Sequence, residues 1–139
     1  MEIVLTSDLS ELGRLAEAVA DFGRRHALPE PAMAHMALAL DELVTNSIVY
    51  GYRGGAGTVR VRLDLAGEWL DAEVVDEAPP FDPFTAPPPD LEASLEERQI
   101  GGLGVHLVRT LLDRVDYVRD GAHNRVQLSK RVARPGPSA

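Results

Sequence analysis

Two strand-like runs in the middle of the sequence determine the kind of fold that the chain requires. Apolar and polar side chains alternate in TVRVRLDL, residues 58–65, and a second run, WLDAEVVD, follows at residues 69–76. A period of two places the apolar side chains of a β-strand on one face of the sheet. Other elements must cover that face, so the chain has to supply helices that pack against this hairpin.

The remaining sequence supplies such helices and further strands. Apolar residues recur at helical spacing in three segments, and shorter alternating runs occur near both ends of the chain. The pattern predicts helices over residues 12–26, 31–49 and 105–113, and further strands over residues 2–6, 115–120 and 124–132. Together they predict an α+β fold, a two-layer sandwich in which one mixed, mostly antiparallel sheet carries helices on one face.

Length, charge and composition narrow the class of protein. With 139 residues the chain suits a single domain that buries a core without disulfides, and it contains no cysteine. The formal net charge of −8 argues against a nucleic-acid partner held by phosphate contacts. Neither a signal peptide nor an apolar run of about 18 residues is present, so the sequence predicts a cytoplasmic protein without a membrane segment.

Regular patterning stops between residues 77 and 100. This stretch contains six of the chain's ten prolines, at positions 79, 80, 83, 87, 88 and 89. A loop of roughly 20 residues is unusual inside a compact domain and is typical of a functional lid or a disordered segment.

The second predicted helix carries two polar residues one turn apart. Glu42 and Asn46 are separated by four positions, and we place them on the side opposite the apolar face formed by Met36, Leu40 and Leu43. An asparagine oxygen can bind a hard cation such as Mg²⁺, and a carboxylate one turn earlier can accept a proton from a hydroxyl group. The alternative interpretation is that both side chains are solvated surface residues without a function.

Two further features carry groups that can bind a ligand. A glycine-rich segment, GGLG at residues 101–104, directly precedes an apolar helix, where free backbone N–H groups and the helix dipole favour an anion such as phosphate. The same glycines also suit a helix start that only permits close packing. Asp76 ends the second central strand, where a carboxylate is either a turn residue or an acceptor for an amino group in a pocket.

Taken together, these segments resemble a known family. ELVTN at 42–46, DEAPPFDP at 76–83 and GGLG at 101–104 follow the order of the N, G1 and G2 boxes of the histidine-kinase-like (GHKL) ATPases, which share the Bergerat ATP-binding fold. The closer resemblance is to the bacterial anti-sigma-factor serine/threonine kinases, whose final strand is similar to NRVQLSK at 124–130. The resemblance extends over about residues 5–132.

The resemblance implies a site for ATP and Mg²⁺. It implies that Asn46 binds the Mg²⁺ ion, that Glu42 is the catalytic base, and that Asp76 binds the adenine amino group. It also implies that residues 84–100 form an ATP lid within a single domain of residues 1–132, followed by a frayed tail. The implied phosphate-binding residues are Gly101, Gly102, Leu103 and Gly104.

One position departs from the family pattern. Ala78 stands where the G1 box has a glycine, among the residues that the resemblance places at the cofactor. Glycine permits close approach of the backbone to a nucleotide and a positive φ, and alanine restricts both. The sequence therefore leaves two functions open, an active kinase and a binding module of the same fold with impaired nucleotide binding.

The resemblance also implies the partners. A kinase of this branch phosphorylates an anti-anti-sigma protein of the STAS type, binds a sigma factor, and is often a homodimer. The catalytic part of a histidine kinase is a less suitable interpretation, because the sequence contains no pair of dimerisation helices with a phospho-accepting histidine.

Overall fold

The structure, a computed structural model of the chain, describes residues 1–85 and 103–132. Within these ranges the chain forms five strands and three α-helices, in an order close to that predicted. The strands are β1 (Glu2–Thr6), β2 (Thr58–Ala66), β3 (Trp69–Asp76), β4 (Arg114–Asp120) and β5 (His123–Arg131). The helices are α1 (Leu12–Arg25), α2 (Glu30–Asn46) and α3 (Leu103–Leu111).

The strands form one sheet in the order β1-β2-β3-β5-β4, and each pair of neighbours is antiparallel. Its central strand is β3, which pairs with β2 on one side and with β5 on the other. In this register Asp76 at the end of β3 lies opposite Val59 of β2 and opposite Asn124 of β5. Two polar residues of adjacent strands are therefore neighbours on one face of the sheet.

The three helices cover one face of the sheet, as the alternation required. The buried face contains Val59, Val61 and Leu63 of β2 and Val126 and Leu128 of β5. The helices bury their own apolar residues against it; these include Leu15, Val19, Met36, Leu40, Val44 and Val108. The predicted α+β sandwich is confirmed.

The other face of the sheet is polar. Arg125 of β5 forms an ion pair with Glu73 of β3, at 2.7 Å between Nη1 and Oε1, and a second with Asp120 at 3.2 Å. No helix in the described part of the chain is long and apolar enough to cross a membrane.

The helix α2 ends in a wider turn that the sequence pattern did not indicate. The α-helix stops at Asn46 rather than at about residue 49, and Ser47–Gly51 form one turn of π-helix. Its hydrogen bond from the Tyr52 N–H to the Ser47 carbonyl spans five residues and measures 2.9 Å. Such turns occur frequently at functional sites.

Asn46 does not lie on the side of α2 opposite the core, and this prediction was wrong. Asn46 is only 8% exposed, so it is nearly as buried as Ala39 and Leu43 of the same helix. The physical reason is the helical repeat of about 3.6 residues, which places Asn46 nearly one turn after Leu43 and two turns after Ala39.

The outward edge of β1 is closed by side chains. The Thr6 N–H donates to Glu11 Oε1 at 3.1 Å, and Arg14 Nη2 donates to the Val4 carbonyl at 2.7 Å. Glu11 and Arg14 also form an ion pair with each other at 3.2 Å. Two of the backbone groups that this edge strand would otherwise present to solvent thus have side-chain partners within the chain.

The turn after the π-helix is anchored by Tyr52. Its hydroxyl donates to the Thr58 carbonyl at 2.6 Å and accepts from the Glu77 N–H at 2.8 Å. Burial raises the pKa of this phenol. Gly57 lies directly against the ring, where an added Cβ would overlap the ring atoms.

We predict that Gly57→Ala destabilises the protein by about 1–3 kcal/mol, because the new methyl group displaces the Tyr52 ring from its two hydrogen bonds. Urea unfolding measures the effect. Gly13→Ala is the matched control, because a Cβ at Gly13 of α1 meets no atom within 4 Å, and alanine favours a helix. Equal unfolding free energies for Gly57→Ala and the wild type would contradict the prediction.

Candidate functional site

A small cavity lies at the end of the sheet where Asp76 and Asn124 are neighbours. Its apolar wall is formed by Leu43 of α2, Val74 of β3 and Val126 of β5. Its polar groups come from Asn46, Ser47, Asp76 and Asn124, and the segment after β3 contributes Phe81 and Pro83. The cavity measures about 20 Å³, room for roughly one water molecule. A larger ligand therefore inserts only one edge into it.

The carboxylate of Asp76 accepts three hydrogen bonds in the wall of the cavity. Oδ2 accepts a hydrogen bond from the Ser47 hydroxyl at 2.7 Å. Oδ1 accepts from Asn124 Nδ2 at 2.8 Å and from the Ala78 N–H at 3.0 Å. A carboxylate has about four lone-pair positions, so these three bonds leave Oδ2 able to accept one more donor.

Ser47 reaches Asp76 because of the π-turn. It is buried, is the first residue of that turn, and lies directly after Asn46 at the end of α2. The turn thus connects α2 to the end of β3 through a side-chain hydrogen bond.

Asn46 lies in the cavity wall with its side-chain amide unbonded within the described part of the chain. Asn46 is only 8% exposed, and an amide without a protein partner in a cavity wall is available to water, an ion or a ligand. The amide oxygen is a suitable ligand for a hard cation. The residue therefore fits the Mg²⁺ role that the sequence resemblance implies.

Glu42 lies one turn before Asn46 on α2 and is partly buried. Desolvation raises the pKa of its carboxyl group, and the neighbouring charge of Asp41 raises it further. A raised pKa makes the carboxylate a stronger base than an exposed glutamate, which suits proton abstraction near neutral pH.

The side chain of Ala78 does not itself line the cavity. Ala78 is 2% exposed and is absent from the cavity lining, and its φ is not positive. Its methyl group packs against Gly51, a lining residue, where an added Cβ would lie 3.0 Å from the Ala78 Cβ. The position therefore does not need the left-handed conformation that favours glycine.

The glycine-rich segment is described only in part. Leu103 and Gly104 form the first turn of α3, which packs against α2. Gly101 and Gly102, and nearly all of the predicted lid over residues 84–100, lie outside the described residues. Of the three predicted glycines, only Gly104 is among the described residues, and it lies in the first turn of α3.

Three residues of the site were not predicted from the sequence. Ser47 and Asn124 bond to Asp76, and Tyr117 of β4 donates to Asn124 Oδ1 at 2.5 Å. Ser47 falls at a position where the apolar repeat predicts core. Asn124 begins the final-strand segment NRVQLSK, but its contact with Asp76 follows only from the pairing of β3 with β5.

One family model and two curated relatives match more than half of this chain. A family model described as the histidine kinase-like ATPase domain matches residues 5–130. The serine-protein kinase RsbW of Listeria monocytogenes is 30% identical over 114 residues, which cover 78% of this chain and 71% of that protein. An anti-sigma F factor of Thermoanaerobacter is 25% identical over 84 residues, covering 60% of this chain and 59% of that protein.

Solved structures show the same fold. The RsbU and RsbW domains of Rv1364c from Mycobacterium tuberculosis align with 97% of this chain at a TM-score of 0.70 and 17% identity. The alignment spans about a third, 33%, of that longer chain. The histidine kinase AdeS of Acinetobacter baumannii aligns with 95% of this chain and 68% of its own, at a TM-score of 0.51 and 14% identity.

The contact between positions 51 and 78 gives a first prediction for the site. We expect Gly51→Ala to lower the unfolding free energy by about 1 kcal/mol or more, because two Cβ atoms attached to separate backbone segments cannot approach to 3.0 Å without a shift. The double variant Gly51→Ala/Ala78→Gly removes the opposing methyl group. Urea unfolding should therefore show that the second substitution restores stability in the first variant's background; strictly additive losses would contradict the contact.

The raised pKa of Glu42 gives a prediction for stability against pH. The folded state holds the Glu42 proton more tightly than the unfolded state, so this group's contribution is fully present below the unfolded pKa and is lost as pH rises through the folded pKa. Glu42→Gln should therefore raise the melting temperature at about pH 7 and give no gain below about pH 4.

The matched control is Glu17→Gln, at an exposed position of α1. Melting curves of both variants and the wild type from acidic to neutral pH make the measurement. A Glu42→Gln difference that does not change with pH would show that the carboxyl group is not destabilised by burial.

Proposed function

Since the chain belongs to the histidine kinase-like ATPase domain family, we propose that it is an ATP-dependent serine/threonine protein kinase that acts as an anti-sigma regulatory factor. One observation carries the proposal: α2 and β3 bring an unbonded asparagine amide and an acceptor-only carboxylate to the same cavity. Support also comes from the relatives, of which one is named a serine-protein kinase and another an anti-sigma factor.

The inner end of the cavity suits the amino edge of an adenine ring. Leu43, Val74 and Val126 provide apolar contacts, and Asp76 Oδ2 retains capacity for one more donor. An ionised carboxylate only accepts hydrogen bonds, so it selects an exocyclic amino group over a carbonyl group. The base amine of ATP is therefore a suitable partner for Asp76, with the phosphates outside the cavity.

The catalytic residues follow from their positions on α2. When bound, Mg²⁺–ATP supplies the transferable phosphoryl group together with the ion that neutralises phosphate charge. The Asn46 amide oxygen would hold the ion, and Gly104 with its preceding glycines would donate backbone N–H groups to phosphate oxygens. The Glu42 carboxylate would accept the proton of the attacking serine hydroxyl and orient that oxygen.

The protein substrate and the regulated partner belong to the same proposal. A serine of an anti-anti-sigma protein of the STAS type would be the phosphate acceptor, and a sigma factor would be the sequestered partner. The alternative of a binding module with impaired nucleotide binding rested on Ala78. Its methyl group packs against Gly51, which itself lines the cavity, so the binding module stays the second candidate and the nucleotide titration below distinguishes the two.

Nucleotide binding is tested by calorimetric titration with Mg²⁺–ATP. We expect saturable binding by the wild-type protein and a loss of at least tenfold in affinity for Asn46→Ala, because a buried metal ligand is removed. Gln127→Ala is the control, since it truncates an exposed amide on the outer face of β5. Absence of binding by the wild type would refute the nucleotide site.

Phosphoryl transfer is tested with γ-labelled ATP and a STAS-domain protein as acceptor. Glu42→Gln should lower the transfer rate by about 10²–10⁴-fold with ATP affinity retained, the usual range for removal of a general base. Glu17→Gln is the matched control, because it makes the same substitution at an exposed glutamate of α1 whose charge does not act on Glu42. Equal transfer by Glu42→Gln and the wild type would exclude Glu42 as the base.

A further inference from the structure

The segment that follows Asp76 cannot hold its own shape through backbone hydrogen bonds alone. Pro79 and Pro80 have no N–H group, so this stretch is short of donors. Its carbonyl groups are instead bonded by side chains of the terminal hairpin. Asn124 Nδ2 lies 3.1 Å from the Ala78 oxygen and 3.0 Å from the Pro79 oxygen, and Arg119 Nη1 donates to the Ala78 oxygen at 2.8 Å.

Asn124 uses both ends of its amide in this arrangement. Besides the two carbonyl groups, Nδ2 contacts Asp76 Oδ1 at 2.8 Å, and Oδ1 accepts from the Phe81 N–H at 3.2 Å. The residue is only 5% exposed. One buried side chain thus connects the carboxylate of the cavity with the segment that forms its outer wall.

The orientation of the Asn124 amide is determined by its surroundings. The Tyr117 hydroxyl donates to Oδ1 at 2.5 Å, whereas the three oxygens around Nδ2 all require a donor. A reversed amide would place its oxygen against Asp76, Ala78 and Pro79 and its NH₂ group against the Phe81 N–H. The Phe81 N–H, which can only donate, and the oxygens around Nδ2, which can only accept, select the orientation in which Asn124 donates to Asp76, and the Tyr117 hydroxyl adds a second donor to Oδ1.

We propose that Asn124, held in place by the Phe81 N–H and by the Tyr117 hydroxyl, is a positioning residue that determines the preference of the site for an adenine base. It aims the Asp76 carboxylate and holds the segment that carries Phe81 into the wall of the cavity, and it does so without contacting phosphate groups. The inference rests on the proposed function, since it concerns the base-recognition end of that nucleotide site.

Removal of the Asn124 amide is expected to weaken ATP binding and GTP binding to different extents. Without the amide, Asp76 Oδ1 loses one donor and the Phe81 N–H loses its acceptor, so the groups that discriminate between bases lose their fixed geometry. Groups that bind phosphates lie elsewhere and are unaffected. The loss therefore falls on ATP and spares GTP, which cannot offer an amino group at the same ring position.

The experiment compares dissociation constants for Mg²⁺–ATP and Mg²⁺–GTP by calorimetry, well below the melting temperature of each variant. Asn124→Ala should weaken ATP binding about tenfold, as expected for the loss of buried hydrogen bonds, and change GTP binding less than twofold. In the kinase assay, KM for ATP should rise with little change in kcat, because uniform binding is lost.

Tyr117→Phe removes the hydroxyl group and retains the ring, so it tests the same idea in a protein that keeps its packing. It should lower the ATP:GTP preference by a smaller factor than Asn124→Ala, and it should have no further effect in the Asn124→Ala background. Gln127→Ala, an amide truncation on the outer face of the same strand, should leave both constants unchanged.

Two results would overturn the inference. One is an unchanged ATP:GTP preference in both Asn124→Ala and Tyr117→Phe. The other is an equal loss for the two nucleotides, which would show a structural role without base selection. In both of these results the nucleotide site itself still exists: the wild type prefers ATP, and Asp76→Asn loses that preference. Failure of the proposed function gives a different result, a wild-type protein that binds neither nucleotide.

Discussion

A buried carboxylate must be hydrogen-bonded, because an ionised group without partners costs several kcal/mol in a protein interior. For Asp76 the partners come from three separate parts of the chain: Ser47 after α2, Asn124 in β5 and the Ala78 N–H in the following segment. Satisfying this one charge therefore fixes how the end of α2, the centre of the sheet and the outer wall of the cavity meet. The same bonds leave the carboxylate as an acceptor at the end of an apolar cavity.

Local sequence patterns were sufficient for the fold. Period-two alternation identified β2 and β3 and required a covering layer of helices, which α1, α2 and α3 provide. Helix α2 was predicted correctly over most of its length, and its end was not. A π-turn inserts one extra residue into a helical turn, and periodicity does not reveal that insertion before the chain leaves the regular repeat.

The site was only partly predictable, because its decisive contacts are long-range. The motif order indicated Asn46 and Asp76, and the structure brings both to one cavity. The partnership of Asp76 with Asn124 depends on the register between β3 and β5, which no short segment encodes. The surroundings of Ala78 were equally inaccessible to sequence reasoning, because its methyl group packs against Gly51, a residue of a different element.

The closed edge of β1 has a consequence for how the protein behaves at high concentration. A strand from another molecule can join a sheet only by bonding to free N–H and C=O groups along its border. At β1 the Thr6 N–H and the Val4 carbonyl are occupied by Glu11 and Arg14. An incoming strand would have to break these two charge-assisted bonds to pair along the whole of β1, so extended strand addition is disfavoured at this border of the sheet.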